Sequence, residues 1–127
     1  MLLTPEPLPT WQLAIRFALE VASLVAIGRY AGGLFRGVWA YAAAWGVPIV
    51  IALLWATFAV KGDPSRSGSA PIPVPGLLRL ALEMAVFLGG AAALAARNNR
   101  VALAIFMAAF VLHHAMTTGR LAWLLRQ

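Results

Sequence analysis

The chain has 127 residues, of which 62% are hydrophobic and only 11% are charged. Soluble domains carry about 45–50% apolar and about 25% charged residues, so the composition excludes a water-soluble fold and intrinsic disorder. The formal net charge is +6, but most basic residues flank apolar runs, where they meet lipid headgroups rather than nucleic acid. The chain has no cysteine, which excludes disulfides, thiolate metal sites and cysteine nucleophiles. These values predict an integral membrane protein whose surroundings are the lipid bilayer.

Four apolar stretches predict the fold, at about residues 11–30, 38–60, 77–96 and 101–125. Each approaches the ~20 residues that span a bilayer as a helix, and none shows the alternating polarity of barrel strands. Short turns at 31–37 and 97–100 predict two antiparallel hairpins. The segment 61–76 is rich in Pro, Ser and Gly, which predicts a flexible or extended linker with no helix beyond one turn. The prediction is all-α, a single integral membrane domain over residues 1–127 forming a four-transmembrane-helix bundle.

The two predicted hairpins share an internal repeat. Residues 16–22 read RFALEVA and residues 79–85 read RLALEMA, with five of seven positions identical at an offset of 63. Alternating prolines precede both segments. Two membrane crossings separate the first helix from the third, so the repeat predicts related hairpins about a pseudo-two-fold axis along the membrane normal.

Two Arg–Glu pairs are the main candidate site. Arg16 with Glu20, and Arg79 with Glu83, stand four residues apart and share a helix face. A charged side chain facing lipid at the bilayer centre costs at least about 2.5–3.5 kcal/mol. We therefore predict that all four face the interior in one network of zero net charge, with an Arg–Glu contact between the first and third helices. Such a network is either a structural clamp, the favoured interpretation, or an ion or proton site.

Two adjacent histidines, His113 and His114, lie in the fourth predicted helix. Neighbouring residues point about 100° apart on a helix, so both cannot serve one metal or one haem face. We predict buried histidines that hydrogen-bond neighbouring helices, with a polar or ligand site as the alternative. No cofactor or metal is predicted, and the chain lacks a phosphate loop, a nucleophile elbow or a zinc motif. The sequence therefore disfavours an enzyme.

Several short motifs resemble those of the YrdB family of small bacterial membrane proteins, over about residues 11–125. They are Arg16-x-x-Leu19-Glu20, Pro48 with Leu54-Trp55-x-x-Phe58, the proline-bearing loop, and Leu78-Arg79-x-x-Leu82-Glu83. The resemblance implies a four-helix fold in the bacterial inner membrane. It implies no biochemical activity, because the function of that family is unassigned.

The functional prediction is a small polytopic membrane protein that acts by lateral association, as an accessory subunit or a homo-oligomer. The alternative is a small ion- or proton-coupled transporter or channel that uses the Arg16/Glu20 and Arg79/Glu83 faces. Six basic residues lie on the side of the termini and four in the short turns. The positive-inside rule then predicts that both termini are cytoplasmic.

Overall fold

The computed structural model describes residues 6–66 and 70–127. In this part of the chain the fold is helical, apart from two strands of two residues each. In chain order the elements are α1 (Thr10–Gly33), α2 (Val38–Thr57), β1 (Phe58–Ala59), β2 (Ile72–Pro73), α3 (Gly76–Ala96), α4 (Arg100–Met116) and α5 (Thr118–Leu125).

Three of these helices, α1, α2 and α3, are long enough and apolar enough to cross a membrane. The pair formed by α4 and α5 qualifies as a fourth span if the two are counted together. The described residues thus contain three or four candidate membrane spans. Their length and hydropathy agree with the membrane protein that the composition predicts.

The prediction of one continuous helix over residues 101–125 is wrong. The helix is interrupted between α4 and α5, and the axes of these two helices differ by 68°. At the break, the Thr117 hydroxyl donates to the backbone oxygen of His113 at 2.8 Å, and Gly119 and two threonines favour a helix poorly. The bend turns Arg120, Trp123 and Leu124 into the interior, where all three are buried.

The contact between α1 and α2 depends on small residues. A Cβ atom at Gly28 would lie 2.6 Å from the Ala44 backbone oxygen and 2.7 Å from Cγ of Pro48. At Gly32 it would lie 2.9 Å from Cβ of Ala44. Glycines spaced four residues apart let two helix backbones approach closely, so this small-residue motif finds its partner within the chain.

A single glycine sets the approach of α3 to α1. A Cβ atom at Gly90 would lie 2.7 Å from the Cα atom of Ser23, whereas one at Gly89 would lie 3.5 Å from the side chain of Ile27, an ordinary contact. We expect Gly90→Ala to lower the free energy of unfolding by about 1–3 kcal/mol, because overpacking forces the backbones apart. Gly89→Ala is the matched control and should leave stability unchanged or slightly raised. Thermal unfolding in detergent would compare them, and equal stability of the two variants would contradict this packing.

The described ends of the segment 61–76 contact the rest of the fold, so of the two predicted alternatives, flexible or extended, the flexible one does not describe them. Asp63 and Pro64 are buried, and Leu8 donates its backbone N–H to the Pro64 oxygen at 3.3 Å. The strands β1 and β2 pair in parallel, with Phe58 opposite Ile72. The segment is anchored because its polar groups find partners in the fold. Residues 61–66 and 70–75 contain no helix, as predicted, and residues 67–69 lie outside the described part of the chain.

Candidate functional site

The Glu83 carboxylate lies at the centre of a buried ion-pair network. Its side chain is 0% exposed, and its Oε1 atom lies 2.6 Å from Nη2 of Arg16, 3.3 Å from Nε of Arg79 and 2.5 Å from Nη2 of Arg120. A second bond joins Nη1 of Arg120 to Oε2 at 3.0 Å. Donors from α1, α3 and α5 therefore converge on one carboxylate.

Asp63 joins the same network from the loop. Nε and Nη2 of Arg120 donate to its two carboxylate oxygens at 2.8 and 2.6 Å, the two-pronged geometry in which arginine binds carboxylates most strongly. The backbone N–H and the hydroxyl of Ser65 donate to Oδ1 at 2.9 and 2.8 Å. Burial raises the pKa of Asp63, but the hydrogen bonds and charge of Arg120, aided by Ser65, outweigh it and hold that pKa at about 2. Asp63 is therefore a permanent anion at neutral pH.

Arg79 extends the network to the end of α2. Its Nη1 atom donates to the backbone oxygens of Trp55 and Phe58, both at 2.6 Å, and its guanidinium lies 4.5 Å from the centre of the Trp55 ring. The last carbonyls of a helix have no partner within that helix. Arg79 therefore caps α2 while it binds Glu83, which ties α2 to α3.

Glu20 differs from Glu83 although the repeat makes them equivalent in sequence. Its carboxylate lies 3.3 Å from Nε of Arg16, and its side chain is 24% exposed. It borders a cleft of about 220 Å³ together with Arg66 and Ser65. It also borders a second, mainly apolar cleft of about 470 Å³ that reaches Pro64. Glu20 is thus a half-open carboxylate at the edge of the network, whereas Glu83 is enclosed.

The two histidines take different positions. Nε2 of His113 lies 3.5 Å from Nη1 of Arg16, and because arginine only donates, this nitrogen accepts. Nδ1 of His114 lies 2.8 Å from the Phe110 backbone oxygen and donates to it. Within the described residues, the other ring nitrogen of each histidine is buried without a hydrogen-bond partner, and no group of three His, Asp or Glu side chains could hold a metal ion. His113 thus connects α4 to the network, while His114 packs 4.3 Å from the Phe110 ring.

The four residues of the two predicted pairs do lie together, and Arg16 with Glu83 forms the predicted contact between the first and third helices. Among the described residues, these ion pairs join three arginines and three carboxylates, whose formal charges cancel: Arg16, Arg79 and Arg120 with Glu20, Asp63 and Glu83. We call these six residues the charged network. Three of the four acidic residues of the chain belong to it.

Asp63 and Arg120 are not among the predicted site residues, and Arg120 entered the sequence argument only as one of the basic residues on the side of the termini. One signal was present, because Arg120 interrupts the apolar run at 101–125 and a buried arginine requires an anionic partner. Asp63 is the sole aspartate of the chain, but 57 residues separate it from Arg120. No local spacing pattern connects two residues at that distance.

The structure is that of a small helical protein with helices long and apolar enough to cross a membrane, in which buried ion pairs join α1, α3, α5 and the loop after β1. The chain belongs to the family described as "Protein of unknown function (DUF2568)", which matches residues 14–125. It is 37% identical over 122 residues to "Uncharacterized protein YrdB" of Bacillus subtilis (strain 168), across 96% of this chain and 99% of that relative. The resemblance to the YrdB family is therefore confirmed. No solved structure matches the chain.

Proposed function

We propose that this protein is a four-helix inner-membrane protein without enzymatic activity that acts by lateral association, as an accessory subunit or a homo-oligomer. The observation that supports this most is the surface of α2, because none of its residues is buried within the fold. By contrast, α1 and α3 each bury several residues. In this proposal α2 is the helix that contacts the partner.

The outer face of α2 has the residue pattern of a helix contact. Ala40 and Ala44 face α1, so Ala42 and Gly46 lie on the opposite side of the helix. A Cβ atom at Gly46 would meet no atom of the described chain within 4 Å. Small residues four positions apart, such as Ala42 and Gly46, allow another helix to approach closely in lipid. Large exposed aromatic side chains such as Trp45 lie beside these two small residues.

The charged network supports the same proposal as a structural clamp. Its formal charges cancel, and Glu83 and Asp63 are enclosed by arginine donors. Because the carboxylate at its centre is fully paired, the network fixes how α1, α3 and α5 dock rather than offering an empty site. A rigidly docked fold leaves the exposed helix faces as the surfaces available for a partner.

A cross-linking experiment tests the role of α2. The chain has no cysteine, so Gly46→Cys and Leu88→Cys can each carry one benzophenone maleimide. Both positions lie eight residues from the helix end nearest the short turns, Val38 and Ala96 respectively, and Leu88 is exposed on α3. We expect irradiation of native membranes to give a protein adduct of defined mass from position 46 and none from position 88. Equal adducts at both positions, or lipid adducts alone, would contradict the proposal.

A second candidate, transport, is favoured by one observation, the half-open position of Glu20 beside the cleft that it shares with Arg66 and Ser65. Proteoliposomes containing a pH-sensitive dye would compare the wild type with Glu20→Gln. A proton or ion flux that the wild type shows and the stable variant lacks would favour transport over the clamp. Absence of flux in the wild type would favour association.

The buried arginines also bear on orientation. Arg16, Arg79 and Arg120 are paired inside the protein, so they do not act as loop charges. Without these three arginines, three basic residues lie on the side of the termini and four lie in the short turns. They are Lys61, Arg66 and Arg126 on the first side, and Arg29, Arg36, Arg97 and Arg100 on the second. In place of the predicted cytoplasmic termini, we propose that the turns face the cytoplasm. An impermeant maleimide should label Gln127→Cys but not Leu34→Cys in intact cells, and the reverse pattern would contradict this.

A further inference from the structure

A long apolar groove lies between α1 and α4, outside the charged network. It encloses about 850 Å³ and runs along α1 from Ile15 to Arg29, a length of about 21 Å at 1.5 Å per residue. This volume falls in the range of ligand sites, about 300–1,000 Å³. Its length exceeds half the ~30 Å hydrocarbon core. The groove therefore has the dimensions for one extended acyl chain.

The polar lining of the groove lies at one end. Arg29 and Asn99 line it there, and the other lining residues are apolar. Arg97 lies against the same end, where its Nη1 atom donates to the Arg29 backbone oxygen at 3.3 Å. Arg100 begins α4 beside Asn99, and the N-terminus of a helix adds positive potential. An apolar slot that ends in clustered positive charge matches a lipid tail with an anionic headgroup.

We propose that this groove binds one anionic phospholipid. One of its two acyl chains lies between α1 and α4, and its phosphate contacts Arg29 with support from Arg97 and Arg100. Basic pockets between transmembrane helices bind anionic headgroups in this way. The site selects an anionic lipid because one molecule must both fill the apolar groove and contact the arginines at its end.

A second copy of the chain fits this groove less well. Three of its four acidic side chains, Glu20, Asp63 and Glu83, are paired in its own charged network. The fourth, Glu6, precedes α1 and so lies at the end of that helix away from Arg29. A parallel neighbour in the membrane therefore brings no carboxylate to the arginines, whereas anionic lipid supplies a phosphate at that depth.

Native mass spectrometry of the intact protein in detergent tests the proposal with phosphatidylglycerol and phosphatidylcholine as probes. Arg29→Gln removes the groove arginine, and Arg36→Gln is its matched control, since Arg36 lies in the adjacent turn and does not line the groove. Ala22→Phe fills the groove, and Ala104→Phe places the same bulk on an exposed part of α4 outside it. Thermal unfolding of each variant establishes that it is folded.

We expect the wild type to bind one phosphatidylglycerol in preference to phosphatidylcholine. Arg29→Gln should weaken phosphatidylglycerol binding by about fivefold, the equivalent of ~1 kcal/mol per basic residue near the membrane surface, and Arg36→Gln should not. Ala22→Phe should weaken both lipids, and Ala104→Phe neither. Equal affinity of the wild type for the two lipids, equal effects of the two arginine variants, or full binding by Ala22→Phe would each overturn the proposal.

Discussion

Glu83→Gln is expected to lower the free energy of unfolding by about 3–5 kcal/mol, the usual consequence of leaving a buried charge without its partner. The charged network contains three arginines and three carboxylates, so this change gives the network a net charge of +1. The glutamine carbonyl can accept from one arginine, but Arg16, Arg79 and Arg120 all donate to Glu83 in the wild type. Unfolding in mixed micelles measures the effect.

Glu20→Gln is the matched control for this prediction, because Glu20 occupies the same position in the repeat. Its carboxylate has one arginine contact at 3.3 Å and is 24% exposed, so its loss should cost about 1 kcal/mol or less. The two glutamates are equivalent in the sequence repeat, but in the structure Glu83 is enclosed and Glu20 is partly exposed. Equal destabilisation by the two changes would contradict the central position of Glu83.

Arg120→Met is expected to destabilise the protein by a similar amount, about 3–5 kcal/mol. The change removes the two-pronged donor of Asp63 and two hydrogen bonds to Glu83. Both carboxylates are 0% exposed, so the loss leaves buried negative charge. Adding Asp63→Asn to Arg120→Met should recover part of the loss, since one unpaired carboxylate is then absent. No recovery in the double variant would indicate that Asp63 and Arg120 are not energetically coupled.

The ion pair between Asp63 and Arg120 also makes the stability of the folded protein depend on pH. The pKa of Asp63 is lowered from 3.8 to about 2 in the folded protein. A group whose pKa is lowered on folding stabilises the protein above its unfolded pKa, and this contribution is lost as the pH falls through the folded value. Asp63 should therefore contribute on the order of 2 kcal/mol at neutral pH, lost between about pH 4 and pH 2. Asp63→Asn should lack this part of the pH dependence, and an unchanged profile would contradict the assignment.

The sequence predicts α1, α2 and α3 well because an apolar run of about 20 residues has few alternatives to a helix in lipid. It also predicts an Arg–Glu contact between the first and third helices, since buried charges require partners and each helix supplies both signs. The structure forms this contact between Arg16 and Glu83. The helix break at Thr117 cannot be predicted from hydropathy or from charge pairing in this way. The hydropathy of an apolar run is the same whether or not the helix bends. In the structure, Arg120 follows the bend and donates to Glu83 and Asp63.

The internal repeat shows where local similarity stops predicting environment. RFALEVA and RLALEMA both form helix with arginine and glutamate on one face. However, α5 and the loop bring Arg120 and Asp63 to the third helix only. Nearly identical segments therefore hold one enclosed glutamate and one half-open glutamate. Their difference comes from long-range contacts, which neither segment encodes by itself.

The most direct test of the structural clamp is a double-mutant cycle between Arg16 and Glu83, measured as free energies of unfolding in mixed micelles. Arg16→Met and Glu83→Gln are each expected to be strongly destabilising. The double variant should be more stable than the sum of the single losses by about 1–3 kcal/mol, the range of coupling between residues in contact. The same cycle between Arg16 and Glu20 should give a smaller coupling. Additive losses for Arg16 and Glu83, or single variants as stable as the wild type, would contradict the clamp.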